Sequence, residues 1–403
     1  KAPPFGWQNL TSITGATTAN AGYFLDNPML INSDLTFTNN SVAFASNSSL
    51  TVNNGITLNI DKTNQSTNLG EHSVFFGCAD MWEGIISNQG IIDLEGHPNS
   101  YNEIKDAKTA LKAVNGGTIK IIRTTFDENN ISIQLGGNFA TTSYINSCNF
   151  LCSSTNLTKS PFQNATAEHH IKLTNVTLNG NLAFPIGYFG SDNGAYDCYF
   201  DNATNGIFSE NSFFNVYMSH FSNSFDKLKT NGILSVGIPG MTSPNKVSVI
   251  PNMHNDYNSF TNLYCGIYTT GVNELTVQGE NIFEKCKLGI RSLDVKDIQV
   301  GNNIFNNFET AIGVYDGQSS TDLKYNKIYN NKFNMDLSYA NLELKGFDAI
   351  DVQNTIPMRR AFVIENNEIK NCVTGIHLRQ CPSVDAFNNY ILDEAPSWSH
   401  HAH

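Results

Sequence analysis

Three observations predict an all-β chain wound as a single-stranded, right-handed parallel β-helix, a solenoid of about 22–23 residues per coil. Asparagine is abundant and charge is scarce. An aromatic residue or isoleucine returns at a near-constant interval, and asparagine stands two positions before each return.

Composition narrows the class first. The 403 residues include 55 asparagines and 30 glycines, and only 15% are charged, against roughly 25% in an average soluble domain. Asparagine and glycine are poor in helix interiors and at home in turns, which disfavours a helical protein. Lys plus Arg is 24 and Asp plus Glu is 36, a net charge of −12. A nucleic-acid partner would require a basic face, so that class is set aside. With 40% apolar residues, 26 Phe and 15 Tyr, the chain is too hydrophobic to stay disordered.

The interval comes next. Phe260, Phe283, Phe305 and Ile328 follow at steps of 23, 22 and 23, and Ile369 and Ile391 are 22 apart. Asn258, Asn281, Asn303, Asn326, Asn367 and Asn389 precede them. A second apolar mark follows at Gly266-Ile267, Gly289-Ile290, Ala311-Ile312, Ala349-Ile350 and Gly375-Ile376. Such a period, with two or three short strands per unit, indicates stacked coils about 4.8 Å apart, so that equivalent positions form columns. The Phe/Ile columns point inward. The asparagines occupy a bend, where left-handed backbone is tolerated and the amide reaches neighbouring turns. A leucine-rich repeat has a similar period, but its LxxLxL pattern is absent. Parallel crossovers are almost always right-handed, which sets the hand.

Earlier coils repeat the design more loosely: Phe126 and Phe150, Phe200 and Phe221, and a Thr109-Ala110-Leu111 that echoes Thr310-Ala311-Ile312. The segments around Leu35/Phe37, Leu50/Val52 and Ile56/Leu58/Ile60 alternate as half-buried strands do. The 41-residue gap from Ile328 to Ile369 fits one further coil with an insertion of roughly 19 residues near 332–346. No linker divides the chain. One continuous domain is expected, with opening strands and cap at 1–75, main helix at 76–393 and a tail at 394–403.

No run approaches the roughly 18–20 apolar residues of a membrane helix. The chain begins at Lys1 and reads as a mature or trimmed product, and the terminal histidines read as a tail. Eight cysteines form no CxxC or zinc framework, although Cys148 with Cys152, or Cys372 with Cys381, are local enough to pair. Cys265, Cys286 and Cys372 read as core positions, and Trp82 as a cap on the early core. About nine Asn-x-Ser/Thr sequons occur, as chance alone supplies in a chain rich in Asn and Thr, and composition by itself favours export.

Cys78-Ala-Asp-Met-Trp-Glu-Gly-Ile85, Ile104-Lys-Asp-Ala-Lys-Thr-Ala-Leu111 and residues 119–126 with Asn129-Asn130 resemble right-handed parallel β-helix surface proteins of Bacteroidota. The stretch from Ser49 to Leu58 suits the opening coils of that group, whose architecture is pectin-lyase-like. The resemblance implies an exported protein, often by the type IX pathway, with carbohydrate-facing or adhesive roles. It supplies no single reaction.

Such β-helices often host polysaccharide lyases and hydrolases, whose catalytic elements are recognisable in sequence. The Asp-Asp, Gly-His-Gly and Arg-x-Lys elements of polygalacturonase-like members are absent. Arg359-Arg360 faintly resembles a pectate-lyase arginine region, but lacks the acidic cluster that a calcium-dependent lyase needs. Stacking the coils on Ile290, Ile312, Ile350 and Ile376 is more informative. It puts Arg291, Gly313, Asp351 and His377 in one outward column, and Leu293, Tyr315, Gln353 and Arg379 in the next. Arg291, Tyr315, Asp351, His377 and Arg379 are the candidate binding residues. Either they make an acid/base pair or anionic-sugar site with Tyr315 as a platform, or they are a solvated face whose charges contribute little. His169-His170, and His254 with Asp256, read as exposed loop or bend residues. The segments 238–251 and 332–346 are the expected excursions that shape a surface.

The expected function is an extracellular or cell-surface β-helix in a structural, adhesive or glycan-binding role without catalysis, its partners polysaccharide or other cell-surface proteins. The rival is a divergent lyase or glycoside hydrolase acting on an acidic polysaccharide. No cofactor is expected, except calcium in a lyase.

Overall fold

The computed structural model describes residues 6–12, 15–17, 19–61, 72–187, 197–224, 230–237, 245–251, 257–317, 326–336, 348–354, 362–382 and 384–392. Among these the fold is almost wholly β, and the one helical element is the short turn Leu10–Ser12. Every ladder between strands is parallel, and as a rule each strand pairs with the strand three places further along the chain. Three strands therefore make one coil, and the chain is a right-handed parallel β-helix. It divides into two compact units, residues 1–208 with 212–214, and residues 209–211 with 215–403.

In the first unit, Asn102–Lys105, Thr124–Asp127, Asn149–Leu151 and Cys198–Asp201 are successive strands of one sheet. Their inward column runs Ile104, Phe126, Phe150, Phe200. The rings of Phe126, Phe150 and Phe200 stack at centroid separations of 5.2 and 4.7 Å. Thr109–Ala113 belongs to a second sheet, as its echo of Thr310–Tyr315 predicts. Trp82 is fully buried, lies flat on Phe44 at 3.8 Å and donates its indole N–H to the Lys105 carbonyl.

In the second unit the phenylalanine column is Phe221, Phe260, Phe283, Phe305, Phe333, then Ile369 and Ile391. Successive rings lie 4.9, 4.7, 4.6 and 5.1 Å apart and within 11° of parallel. Each buried ring contributes roughly 1.5–3 kcal/mol by burial, and about 0.5–1.5 more by stacking. The small residue before each isoleucine has a packing cause. A Cβ on Gly266 would sit 2.7 Å from the Phe283 ring, and one on Gly289 2.8 Å from Phe305.

The asparagine column is a ladder. Each side-chain N–H donates to the Oδ1 of the next asparagine along Asn258, Asn281 and Asn303, then Asn303 to Asn331, Asn331 to Asn367 and Asn367 to Asn389. These amides are not themselves left-handed, as the bend reading had it. From Asn281 onward the residue before each one is: Glu280, Asn302, Asn330, Asn366 and Asn388 have φ between 53° and 59°. Asn262, Lys285, Asn307 and Asn371 hold the second corner, and Asp294, Asp316, Asn354 and Gln380 the third.

Two expectations are corrected by the register. Phe333 and Asn331, not Ile328 and Asn326, continue the columns, because Ile328 pairs with Val300 and Ile364 in a different sheet. The rungs from Asn303 to Asn331 and from Asn331 to Asn367 span 28 and 36 residues. The extra length is thus shared by two coils. Within the expected 332–346 insertion, Lys332–Asn334 is a strand, and 337–346 lies outside the described residues. Likewise Lys246–Val249 is a strand within 238–251, whereas 238–244 falls outside them.

His169 and His170 do not lie in an exposed loop. Both sit in the strand Ala167–Leu178 and are buried. His170 donates through Nε2 to the Asp201 carbonyl, and His169 stacks on Phe208 and accepts from Asn205. Partners on adjacent coils satisfy both rings, so their polarity no longer demands solvent.

The suggested local disulfides also fail on geometry. The strand Asn149–Leu151 separates Cys148 from Cys152 by roughly 13 Å of extended chain. Thr374–Arg379 separates Cys372 from Cys381 by roughly 20 Å. A bridge requires Cα atoms within about 7 Å. Cys265 and Cys286 are core residues as expected, whereas Cys372 is half-buried.

Candidate functional site

The candidate residues stand on the isoleucine sheet of the second unit, on the strands Cys265–Thr270, Leu288–Leu293, Thr310–Tyr315, Asp348–Gln353 and Thr374–Arg379. Ile267, Ile290, Ile312, Ile350 and Ile376 are in register and point inward. One residue on, the outward column reads Tyr268, Arg291, Gly313, Asp351, His377. Two further on it reads Thr270, Leu293, Tyr315, Gln353, Arg379. The stacking inferred from sequence is the observed one.

The side chains depart from a flat solvated face. Tyr315 folds back across Gly313, so closely that a Cβ on Gly313 would lie 2.7 Å from its ring and 2.8 Å from its hydroxyl. The missing side chain at 313 is therefore what admits the ring. The Tyr315 hydroxyl donates to Asp351 Oδ2 at 2.9 Å, and the Gln353 amide donates to both Asp351 oxygens at 2.9 Å. His377 Nδ1 lies 3.1 Å from Asp351 Oδ1. Asp351 is only 5% exposed, so it is a sealed carboxylate held by three partners. Burial, and then the hydrogen bond to Asp351, raise the Tyr315 phenol above its ordinary 10. Asp348, two residues before Ile350, is raised by burial and by the charge of Asp351, against a hydrogen bond from Thr374.

Beside this cluster a cleft of about 290 Å³ opens, lined by Tyr264, Lys287, Arg291, Glu309, Thr310 and Tyr315 among others. The Arg291 guanidinium lies between two rings, 5.4 Å from the Tyr268 centroid and 5.6 Å from that of Tyr315. Cation–π contacts with the two rings restrain the fork. Among the described residues Arg291 forms no ion pair, and its buried Nε has no hydrogen-bond partner. Lys287 sits over Tyr264 at 5.6 Å and pairs with Glu309 at 3.4 Å. Asp348, Asp351 and His377 bring their donor atoms within 4.8 Å of one another. Two carboxylates and an imidazole suit a divalent cation, though Asp351 would have to release present partners to hold one.

Of the five residues named from sequence, Arg291, Tyr315, Asp351 and His377 are linked by contacts, with Tyr315 as the joint. Arg379 is exposed and joins neither cluster nor cleft among the described residues. Tyr268, Lys287, Glu309 and Asp348 were missed. Tyr268 was within reach, since it follows Ile267 as Arg291 follows Ile290. His254, Asp256, Arg359, Arg360 and the terminal histidines lie outside the described residues.

Gly313→Val is expected to lift the Tyr315 ring, break its bond to Asp351 and cost about 1.5–3 kcal/mol, the range for a hydrogen bond to a charged group. Spectrophotometric titration reads it directly, because the Tyr315 phenol should fall back toward 10. A phenol that stays high in the variant would refute the arrangement.

No family model and no curated protein matches the chain. Among solved structures, a double mutant of the periplasmic alginate epimerase AlgG is similar over 96% of this chain and 84% of its own, at 13% identity and a TM-score of 0.28.

Proposed function

We propose that the protein is an exported β-helix that binds an anionic saccharide, of the uronate class, in the cleft of its second unit without turning it over. The observation that carries this is Arg291, a cation in contact with Tyr268 and Tyr315 and with no paired carboxylate among the described residues. A planar fork accepts a sugar carboxylate in bidentate fashion, and tyrosine faces pack on pyranose rings. Lys287, paired with Glu309, is a second cation in the cleft lining. In a chain of net charge −12 such a spot is a local exception rather than part of a general basic surface. Export accords with the resemblance over residues 78–126.

Affinity electrophoresis and calorimetry on polygalacturonate, with a neutral glucan as control, test this reading. Binding should be confined to the acidic polymer and weaken with salt. Arg291→Ala should weaken it by roughly 10–100-fold, and Arg291→Lys should recover only part, since it restores charge but not the fork. Equal retention on both polymers, or an Arg291→Ala variant that binds like the parent, would defeat the proposal.

A second reading draws on the Asp351–His377 contact. A buried carboxylate on Nδ1 is how an imidazole base is oriented. Under that reading the protein is a lyase or hydrolase on the same polymer. New reducing ends or an unsaturated, ultraviolet-absorbing product, lost in His377→Ala, would replace the binding reading with this one.

A further inference from the structure

We propose that Cys148 and Cys198 become joined by a disulfide that ties two neighbouring coils of the first unit together. Asn149 pairs with Tyr199 and Phe150 with Phe200, and the Tyr199 N–H donates to the Cys148 carbonyl at 2.9 Å. The two cysteines therefore face each other across one rung. Adjacent parallel strands run about 4.8 Å apart, inside the 4.4–6.8 Å window of Cα separations that a disulfide spans. The Cys148 backbone N–H already lies 3.4 Å from the Cys198 sulfur. Both residues are fully buried. No comparable register exists for Cys265, whose partner across the rung is Leu288.

The bond forms by thiol–disulfide exchange with an oxidised small-molecule or protein disulfide. One cysteine, as thiolate, attacks a sulfur of the donor and releases one donor thiol. The second then attacks the protein sulfur of the mixed disulfide and releases the other. Two cysteine protons and two electrons pass to the donor, which leaves as two thiols. Complete burial means that exchange takes place before the two coils close. Once they have closed, desolvation holds Cys148 far above its ordinary range as a thiol, so an unoxidised pair is inert in the folded chain. The link spans 50 positions of sequence and makes separation of these coils conditional on reduction.

The test is oxidative refolding of the full chain with oxidised and reduced glutathione, followed by alkylation in denaturant and peptide mapping. The expected map shows six alkylated cysteines and one cross-linked peptide pair containing 148 and 198. The Cys198→Ser variant should lose the cross-link and keep its circular dichroism, with Cys148→Ser as the second variant if that one does not fold. Eight alkylated cysteines in correctly folded, oxidised protein, or a cross-link to any other cysteine, would overturn the proposal. Because the oxidant is supplied in vitro, the result does not depend on export or on the saccharide site.

Discussion

Asn303→Ala is expected to lower the unfolding free energy by about 3–5 kcal/mol, the scale of a broken buried hydrogen-bond network. Asn303 is fully buried, and its side-chain nitrogen donates to the Val277 and Gly301 carbonyls and to Asn331 Oδ1, each at 3.0 Å. Its own Oδ1 accepts from Asn281 at 2.8 Å. Alanine removes the group that satisfies these partners, and each one left unpaired costs roughly 1–3 kcal/mol. Asn303→Asp keeps the acceptor and removes the donors, so it should fall between parent and alanine at low pH and fare worse near neutrality. The contrast is Asn302, whose φ of 59° glycine adopts freely, so that Asn302→Gly should cost well under 1 kcal/mol. Urea titrations with unchanged slope give both numbers. A loss at Asn303 no larger than that at Asn302 would mean that the ladder is incidental to stability.

The second large effect is acid lability of the first unit. Burial pushes the His169 and His170 imidazoles down to about 4 from 6.5. The unfolded chain therefore takes up these protons more readily than the native one. Stability is full above about pH 6.5 and falls as pH drops toward 4, by roughly 3 kcal/mol per imidazole. Buried Asp106 and half-buried Asp127 work in the opposite sense. Desolvation raises them above 3.8, so their protonation favours the folded chain at the acid end. The histidines act over the earlier part of the descent. His170→Gln keeps a donor near the Asp201 carbonyl and cannot titrate. It should flatten the slope of stability between pH 6.5 and 5 by about half. A slope unchanged in that variant would assign the lability elsewhere.

The coil, its period and the outward register around Arg291 and Asp351 were all legible in the sequence, because a strict period converts spacing into neighbourhood. The slip at Ile328 shows where that logic fails. Asn326-Lys-Ile328 and Asn331-Lys-Phe333 carry the same local signature five residues apart. Both asparagines cap strands, but of different sheets: Asn326 Oδ1 accepts the Ile298 N–H, whereas Asn331 belongs to the ladder. An expectation of constant spacing selects the earlier of the two. At the site the columns named the right rows and missed the fold-back of Tyr315. That contact depends on an empty Cβ at Gly313 and a side chain long enough to reach the next coil. Columns describe where side chains start and not where they end. The buried histidines were missed for a related reason, since their partners Asn205 and Asp201 lie 36 and 31 positions away.

The amide ladder carries one more consequence. Every rung offers the same acceptor on one side and the same donor on the other, so no rung is marked as the first or the tenth. Were residues 282–303 excised, Asn281 would meet Asn331 with the chemistry it now offers Asn303, and Phe260 would meet Phe305 as it now meets Phe283. Length is thus a free variable of this architecture and phase is not. A lineage can add or lose whole coils as units of inheritance, while a change of a few residues is tolerated only where it loops out between strands, as in the rungs of 28 and 36.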